Sequence, residues 1–323
     1  MKKFLSVAKW IAVALVIALG VFLPVRQTAS GVNVKTVLSF WQIDCFEGGT
    51  GSRASFIKSV AVDFEKKENC LVTVLSMTKN DAMEKLKSGV VPDVISYSSG
   101  LSEVAGLITP IDRSPYSSGG DVLGKQLAVA WAMGGYVKIS KKNAVSDKII
   151  ISKGDSTAPE IACYFADIPI ENAEFCSPQT AAEKFKKSDY GVLIGTQRDL
   201  YRFKRSLENF DITPLSGFTD LIQYASVTSK DQSKLALSKS FVKYLTSDGQ
   251  KNVNNIGLLS VADRFNSSTD APVSLLFGQT YDKTLPLYLS ERSLKEVCDK
   301  VASGDITKEE KSNFLKNVVK PLK

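Results

Sequence analysis

The sequence predicts an α/β fold built on a parallel sheet, and three observations predict it. Residues 34–41 (VKTVLSFW), 71–77 (LVTVLSM) and 92–97 (PDVISY) are short runs of aliphatic and aromatic side chains, as buried strands are. Segments with apolar residues at helical spacing separate these runs. The chain has 323 residues, 44% of them hydrophobic, which is enough for one large core or two medium ones.

The elements follow one another in the order that a parallel unit requires. Residues 56–64 place apolar side chains at helical spacing, and Thr50 or Ser52 is positioned to cap that helix. A second short helix, DAMEKLKSG, ends at Gly89. Strand, helix, strand, helix, strand predicts a right-handed parallel α/β unit. Ligands bind outside the carboxyl ends of such strands, where the loop after the first strand and Tyr97-Ser98-Ser99-Gly100 lie.

The loop after the first strand, within FWQIDCFEGGTGSR, has the composition of a binding loop. A Walker A loop needs Lys and then Ser or Thr after its second glycine, and here Ser52 and Arg53 stand instead. The relaxed dinucleotide pattern of Gly49, Gly51 and Ala54 is a weak match, because the second strand lacks the acid that would hold a ribose. A flexible loop leading into a helix remains. Its backbone donors, with Thr50, Ser52 and Arg53, are available to a hydroxylated or anionic ligand.

A similar pattern recurs farther along the chain. Ser177 followed by Pro178 predicts the start of a helix, SPQTAAEKFKKSD. Residues 190–195 (YGVLIG) then predict another strand. Polar residues follow directly at its carboxyl end, where a ligand site is expected: Thr196, Gln197, Arg198 and Asp199.

Composition excludes several functions. The sequence contains no histidine, which removes the commonest general base, the commonest metal ligand and every Ser-His or Cys-His nucleophile. The formal net charge is +7, but the first thirty residues hold four cations and no acid, so the remainder carries +3. We therefore expect no nucleic-acid partner, no metal, no cofactor and no enzymatic activity.

The N-terminus predicts export. Lys2, Lys3 and Lys9 precede the uncharged run WIAVALVIALGVFLPV, as in a bacterial export signal. Residues 1–30 are expected either to be cleaved near Ser30 or to remain as a membrane anchor. Both outcomes place the rest of the chain on the outer face of the cytoplasmic membrane, in the periplasm or outside the cell.

The five cysteines are then in or near an oxidising compartment. No CxxC pair occurs, which argues against zinc and redox motifs. Cys163 and Cys176 are the most plausible disulfide by sequence distance. Cys45 follows the first strand and Cys70 precedes the second, so this pair lies at opposite ends of a parallel sheet and is not expected to join.

Six segments taken in order carry a family resemblance: FWQIDCFEGGTGSRASFIKSVAVDFEKKEN, PDVISYSSGLSEVAGLITPID, KQLAVAWAMGGYVKISKKN, AAEKFKKSDYGVLIGTQRDLY, DITPLSGFTDLIQYASVTS and ALSKSFVKYLTSDGQKNVNNIGLLSV. Together they resemble the extracellular solute-binding proteins of ABC importers, the class that includes maltose-type sugar binders. The resemblance implies two α/β lobes, of the periplasmic binding protein type II, with a ligand cleft between them. Lobe one would hold residues 32–128 and 227–271, and lobe two 129–226 and 272–323. Hinges would lie near residues 131–136, at Gly134 and Gly135, and near 225–228.

The function that the resemblance implies is delivery of a small solute, with a carbohydrate favoured, to an ABC transporter permease. A sugar ring stacks on aromatic side chains and offers hydroxyls to carboxylates and amides. The expected ligand-binding residues are Trp41, Asp44, Glu47, Gly49, Thr50, Ser52, Arg53, Tyr97, Ser98, Trp131, Tyr136, Gln197 and Arg198.

Other functions stay open at this point. The chain could be a membrane-anchored sensor or scaffold derived from a solute-binding protein, or a binder of an anionic solute held at residues 49–53. An enzyme would either bind a dinucleotide at the glycine loop or use Asp44 and Glu47 as acid and base.

Overall fold

The computed structural model describes residues 35–267 and 271–322, and from Thr36 onward these residues form one compact unit. The predicted export segment, residues 1–30, lies outside the described residues. Within the described part, no helix has the length and apolar character to cross a membrane.

Strands and helices alternate along most of this unit. The strands are β1 (Val37–Ile43), β2 (Leu71–Met77), β3 (Val94–Tyr97), β4 (Asp121–Val122), β5 (Lys125–Gln126), β6 (Val129–Met133), β7 (Tyr136–Lys141), β8 (Ile149–Ser152), β9 (Glu174–Cys176), β10 (Val192–Thr196), β11 (Phe210–Leu215), β12 (Ile222–Val227), β13 (Leu259–Ser260), β14 (Lys283–Thr284) and β15 (Lys320–Pro321). The α-helices are α1 (Arg53–Glu68), α2 (Lys79–Lys87), α3 (Pro159–Phe165), α4 (Pro178–Lys187), α5 (Gln197–Arg202), α6 (Gln232–Leu245), α7 (Glu291–Ala302) and α8 (Lys308–Val318). Short 3-10 helices occupy Ser102–Leu107, Ser118–Gly120, Lys204–Asn209, Asp248–Ile256, Asp263–Phe265 and Pro272–Leu276.

The first sheet has six strands in the order β13-β6-β12-β3-β1-β2. β1 pairs in parallel with both β2 and β3, which confirms the predicted parallel unit. β2 covers the predicted residues, whereas β1 continues to Ile43 because Gln42 and Ile43 still pair with Ser76 and Met77. β12 enters antiparallel between β3 and β6.

Helix α1 forms as its sequence predicts. The side chain of Ser52 accepts a hydrogen bond from the Ser55 amide at 3.2 Å, so Ser52 rather than Thr50 is the N-cap. The apolar side chains at helical spacing are the buried ones, including Ile57 and Phe64. This face packs on the first sheet, with Phe64 against Phe241 of α6 at a ring-centroid distance of 5.0 Å.

The second sheet has five strands in the order β11-β7-β10-β8-β9. β8 pairs in parallel with β10 and β9, while β7 runs antiparallel to β10 and β11. α4 begins at Pro178 after the Ser177 cap position, as predicted. The predicted strand at 190–195 is β10, and α5 follows directly from its carboxyl end.

The chain passes from the first sheet to the second at 134–135 and returns at 216–221, between β11 and β12. Gly134 and Gly135 therefore lie in a crossing segment, whereas Ala225 does not. Ala225 pairs with Ser96 and Val129 inside the first sheet, which corrects the second hinge position. The lobe-two segment 129–226 is corrected in the same way, because β6 and β12, at its two ends, hydrogen-bond within the first sheet.

Cys163 and Cys176 both lie in the described residues, and both are free thiols. The expected Cys163–Cys176 disulfide is therefore not formed. Cys163 is buried within α3, while the Cys176 thiol donates to Glu174 Oε1 at 3.2 Å. Cys70 and Cys298 are also buried, as small apolar side chains commonly are.

Candidate functional site

The loop after β1 and the helix after β10 meet where the two sheets face each other. β1 ends at Ile43 and β10 ends at Thr196, so both segments lie at carboxyl ends of parallel-paired strands. Residues 44–52 supply one side of the contact and α5 supplies the other. This is the position at which sequence reasoning placed a ligand.

The glycine loop is fixed to the end of the 3-10 helix Asp248–Ile256. The amides of Thr50 and Gly51 donate to the Ile256 carbonyl at 2.9 and 3.3 Å. Gly49 packs so closely on Gly257 that an added Cβ would lie 2.1 Å from the Gly257 carbonyl oxygen. Because backbone meets backbone there, only glycine fits at position 49, and the loop presents a fixed edge to α5.

The Arg53 side chain is buried and contacts other groups of the protein. Its Nη1 lies 2.8 Å from Asp44 Oδ1, and its Nη2 donates to the Phe46 carbonyl at 2.7 Å. The guanidinium also lies 4.2 Å from the centroid of the Phe46 ring. Only 2% of Arg53 is exposed. Arg53 is therefore not available to a ligand in this conformation, contrary to the sequence expectation.

Glu47 reaches across to the second sheet. Its two carboxylate oxygens accept from Arg202 at 2.8 and 2.5 Å, and its backbone carbonyl accepts from Gln197 Nε2 at 3.1 Å. Arg198 Nη1 donates to the Gly49 carbonyl at 2.5 Å. The carboxamide oxygen of Gln197 accepts the Gly135 amide at 3.2 Å, which links this contact to a crossing segment. Sequence reasoning identified Glu47, Gln197 and Arg198 but missed Arg202.

The four predicted aromatic residues lie in the cores instead of the loops. Trp41 is 3% exposed, and Tyr97, Trp131 and Tyr136 are fully buried. Trp131 stacks on Phe56 at 5.5 Å. In this conformation they are not accessible to a sugar face. Their positions within strands explain this, because the side chains of a strand point into the layers that cover the sheet.

Hydrogen bonds fix the orientations of two of these buried aromatic side chains, Trp131 and Tyr97. The indole nitrogen of Trp131 donates to Ser96 Oγ at 2.9 Å. The Tyr97 hydroxyl pairs with Ser226 Oγ at the same distance. Each ring is thus held both by packing and by a polar partner, as buried Trp and Tyr usually are.

Polar side chains that sequence reasoning did not single out lie beneath the loop. Gln42 Nε2 donates to Asp44 Oδ1 at 2.9 Å, and Gln223 Nε2 donates to Ser96 Oγ at 3.0 Å. Both glutamines are fully buried. The hydroxyl of Ser98 is buried with no hydrogen-bond partner among the described residues. In the sequence, glutamines within otherwise apolar strands could have indicated this polar cluster.

A buried carboxylate lies in the returning segment, residues 216–221. Asp220 accepts the Tyr136 hydroxyl and the Ala158 amide, each at 2.7 Å. Burial raises the pKa of Asp220 to about 6, and the nearby Glu160 carboxylate acts in the same direction. The acid interrupts the apolar run FTDLIQYASV, which could have marked it in the sequence.

A further contact joins the two sides of the mouth, the region where residues 44–52 meet α5. Lys79, at the start of α2, lies 3.4 Å from Ser156 Oγ and also pairs with Glu291 at the start of α7. The described residues also line open cavities of about 350 and 480 Å³, which lie elsewhere, next to residues 277–282 and 248–252. Neither cavity is lined by residues 44–52 or by α5.

No family model matches the chain, and no curated protein sequence matches it. Several solved structures match the chain. The maltose-maltodextrin binding protein of Alicyclobacillus acidocaldarius matches with a TM-score of 0.58 and 13% identity, over 87% of this chain and 99% of that one. The extracellular solute-binding protein from Staphylococcus aureus, solved with maltose, gives 0.57 and 12%, over 87% and 97%. The GacH receptor of Streptomyces glaucescens gives 0.55 and 15%, over 87% and 96%.

Identities this low bear on the fold alone. The likeness nevertheless extends over both sheets, because it covers most of each chain. The two sheets, the segments that cross between them and these likenesses together show that the chain has the two-lobed α/β fold of the periplasmic binding proteins.

Proposed function

We propose that the chain is an extracellular solute-binding receptor that delivers a carbohydrate to the permease of an ABC importer. The observation that carries this proposal is the meeting of residues 44–52 with α5, because a solute held between them contacts both sheets. The solved structures with maltose and with acarbose support a sugar as the solute.

The lobes follow the sheets in this proposal. The first lobe contains the strands from β1 to β6 with β12 and β13, and the second contains β7 to β11. The segments 134–135 and 216–221 act as hinges, because they are where the chain passes between the sheets. Such motion places few demands on the rest of the fold, since hinge rotation is absorbed by a few residues.

The proposed contacts to the solute come from loop polar groups. On the first lobe these are Asp44, whose side chain is 50% exposed, exposed Thr50 and the unpartnered hydroxyl of Ser98. On the second lobe they are Gln197 and Arg198. Carboxylate, amide and hydroxyl groups of this kind bind sugar hydroxyls, and opening of the lobes would expose them.

We also infer that the chain is not an enzyme. The solved structures of similar fold named above are binding proteins. The two carboxylates considered as an acid and base pair are each held by a separate arginine, Asp44 by Arg53 and Glu47 by Arg202. Neither carboxylate is therefore placed to exchange a proton with the other.

The lysine-flanked apolar run at residues 10–25 supports export to the outer face of the cytoplasmic membrane. There the receptor would meet both its solute and its permease.

Thermal unfolding with a panel of neutral and acidic sugars tests the proposal. At least one sugar is expected to raise the melting temperature in proportion to the logarithm of its concentration, because a ligand of the folded state stabilises it by mass action. NAD serves as the control for the dinucleotide alternative and is expected to have no effect. A panel in which no sugar shifts the melting temperature at millimolar concentration would contradict the proposed function.

A further inference from the structure

Helix α5 presents two arginines to the loop after β1. Arg202 holds both oxygens of the Glu47 carboxylate, at 2.8 and 2.5 Å, in a two-point contact. Arg198 donates to the Gly49 carbonyl at 2.5 Å. The planar guanidinium fork matches a carboxylate, so the contact shows that this position can seat one.

Helix α5 carries two arginines and one aspartate, so its net charge is +1. Asp199 is fully buried and accepts the Thr196 amide at 2.9 Å and Arg202 Nη1 at 2.8 Å, so it balances one arginine within its own helix. Among residues 35–267 and 271–322, Glu47 is the one other carboxylate within ion-pair distance of either arginine. When Glu47 is withdrawn, the α5 face carries a net charge of +1 and favours an anion.

Glu47 can be withdrawn without moving the loop. The backbone at 49–51 is held by Ile256 and Gly257, and the Glu47 carbonyl is held by Gln197. The Glu47 side chain is 35% exposed and the Arg202 side chain 20%, so the ion pair is open to solvent. Replacement of one carboxylate by another there requires only a side-chain rotation.

The other cations near the mouth are engaged differently. Arg53 is buried against Asp44 and Phe46, and Lys79 is paired with Glu291. Arg202 is thus the cation of this region whose counter-charge comes from a loop side chain on the opposite lobe, while Arg198 on the same helix bonds to a backbone carbonyl of that loop.

We propose that Arg198 and Arg202 recognise the carboxylate of an acidic sugar, and that Glu47 occupies this position as an internal competitor. This inference rests on the proposed function and names its substrate class as uronic acids and their oligomers. Glu47 then lowers the affinity of the receptor for an acidic sugar, since the solute carboxylate must displace Glu47 from Arg202.

Titration calorimetry at pH 7 and low salt, with D-glucuronate and D-glucose as probes, tests the inference. Wild-type protein is expected to bind glucuronate more tightly than glucose by about tenfold, the range of a charged hydrogen bond. Glu47→Gln removes the competitor and is expected to tighten glucuronate binding several-fold relative to glucose binding. Arg198→Gln is expected to abolish the preference for glucuronate. The control variant Arg205→Gln changes an exposed arginine in the next 3-10 helix, Lys204–Asn209, and is expected to keep the preference.

Each outcome decides the inference. If the Glu47–Arg202 pair only holds the lobes closed, Glu47→Gln weakens both sugars equally, and the inference is overturned. Equal wild-type affinity for the two probes also overturns it while leaving the receptor function intact. Tighter binding of glucose 6-phosphate than of glucuronate would overturn the carboxylate assignment. Loss of the preference in 0.5 M salt would support it, because the contact is partly exposed.

Discussion

At Asp220 the interior of the protein changes the chemistry of an ordinary carboxylate. The side chain is fully removed from water, and it accepts hydrogen bonds from the Tyr136 hydroxyl and the Ala158 amide. Desolvation therefore dominates and raises the pKa of Asp220 to about 6. The raised pKa means that the folded state holds this proton more tightly than the unfolded chain does.

We expect Asp220 to make the protein more stable as pH falls from 7 towards 4. Between the usual aspartate value and about 6 the folded state binds more protons than the unfolded state, so the free energy of unfolding rises as pH is lowered through that window. The contribution is about 3 kcal/mol at most. Urea unfolding at pH 7.5, 6.0 and 4.5 measures it, and Asp220→Asn should flatten the profile.

The control for this experiment is Asp211→Asn, which removes an exposed acid from β11. It should keep the wild-type pH dependence. Parallel profiles for wild type and Asp220→Asn would show that this carboxylate does not titrate as its burial implies.

At the scale of elements, the loop after β1 is held by close packing as well as by hydrogen bonds. Gly49 touches the backbone of Gly257, and the Thr50 amide bonds to Ile256. The neighbouring Gly48 is less confined, since an added Cβ there would lie 3.6 Å from the Arg53 side chain. Position 48 therefore accommodates an added Cβ, whereas position 49 does not.

Gly49→Ala is expected to destabilise the protein by about 1–3 kcal/mol, the cost of forcing extra volume into a packed site. It should also displace Glu47 from Arg202, because the loop must move away from Gly257. Gly48→Ala is the matched control and should change stability by much less. Chemical unfolding of the two variants gives the comparison, and equal stabilities would refute the packing account.

At the scale of the whole molecule, the crossing segment 134–135 packs against the contact between residues 44–52 and α5. An added Cβ at Gly134 would lie 2.3 Å from Gln197 Oε1, and Gln197 in turn bonds to Glu47 and to the Gly135 amide. The proposed hinge therefore packs directly against the contact between the lobes.

Gly134→Ala is expected to favour an open arrangement, because the new methyl group clashes with the Gln197 side chain and so disturbs its hydrogen bond to the Glu47 carbonyl. Small-angle scattering should show a larger radius of gyration than for wild type, and solute affinity should fall. Gly154→Ala is the control, since its added Cβ would meet Thr157 at an ordinary 3.5 Å. An unchanged radius of gyration in Gly134→Ala would argue against hinge motion at this position.

The sequence by itself determined the local elements and the parallel unit. β2 has the predicted bounds, and α1 starts at one of its two predicted caps. It also placed Asp44, Glu47, Gln197 and Arg198 at strand ends that meet. Strand and helix patterns arise between residues a few positions apart, so they can be read from one stretch of chain.

Only the tertiary structure decided which of those residues face the mouth. Trp41 and Trp131 became core residues, and Arg53 turned inward to Asp44 and Phe46. The contact between Glu47 and Arg202 joins residues 155 positions apart. A side chain's exposure and partners depend on which distant segments pack beside it, and a local pattern carries no information about that packing.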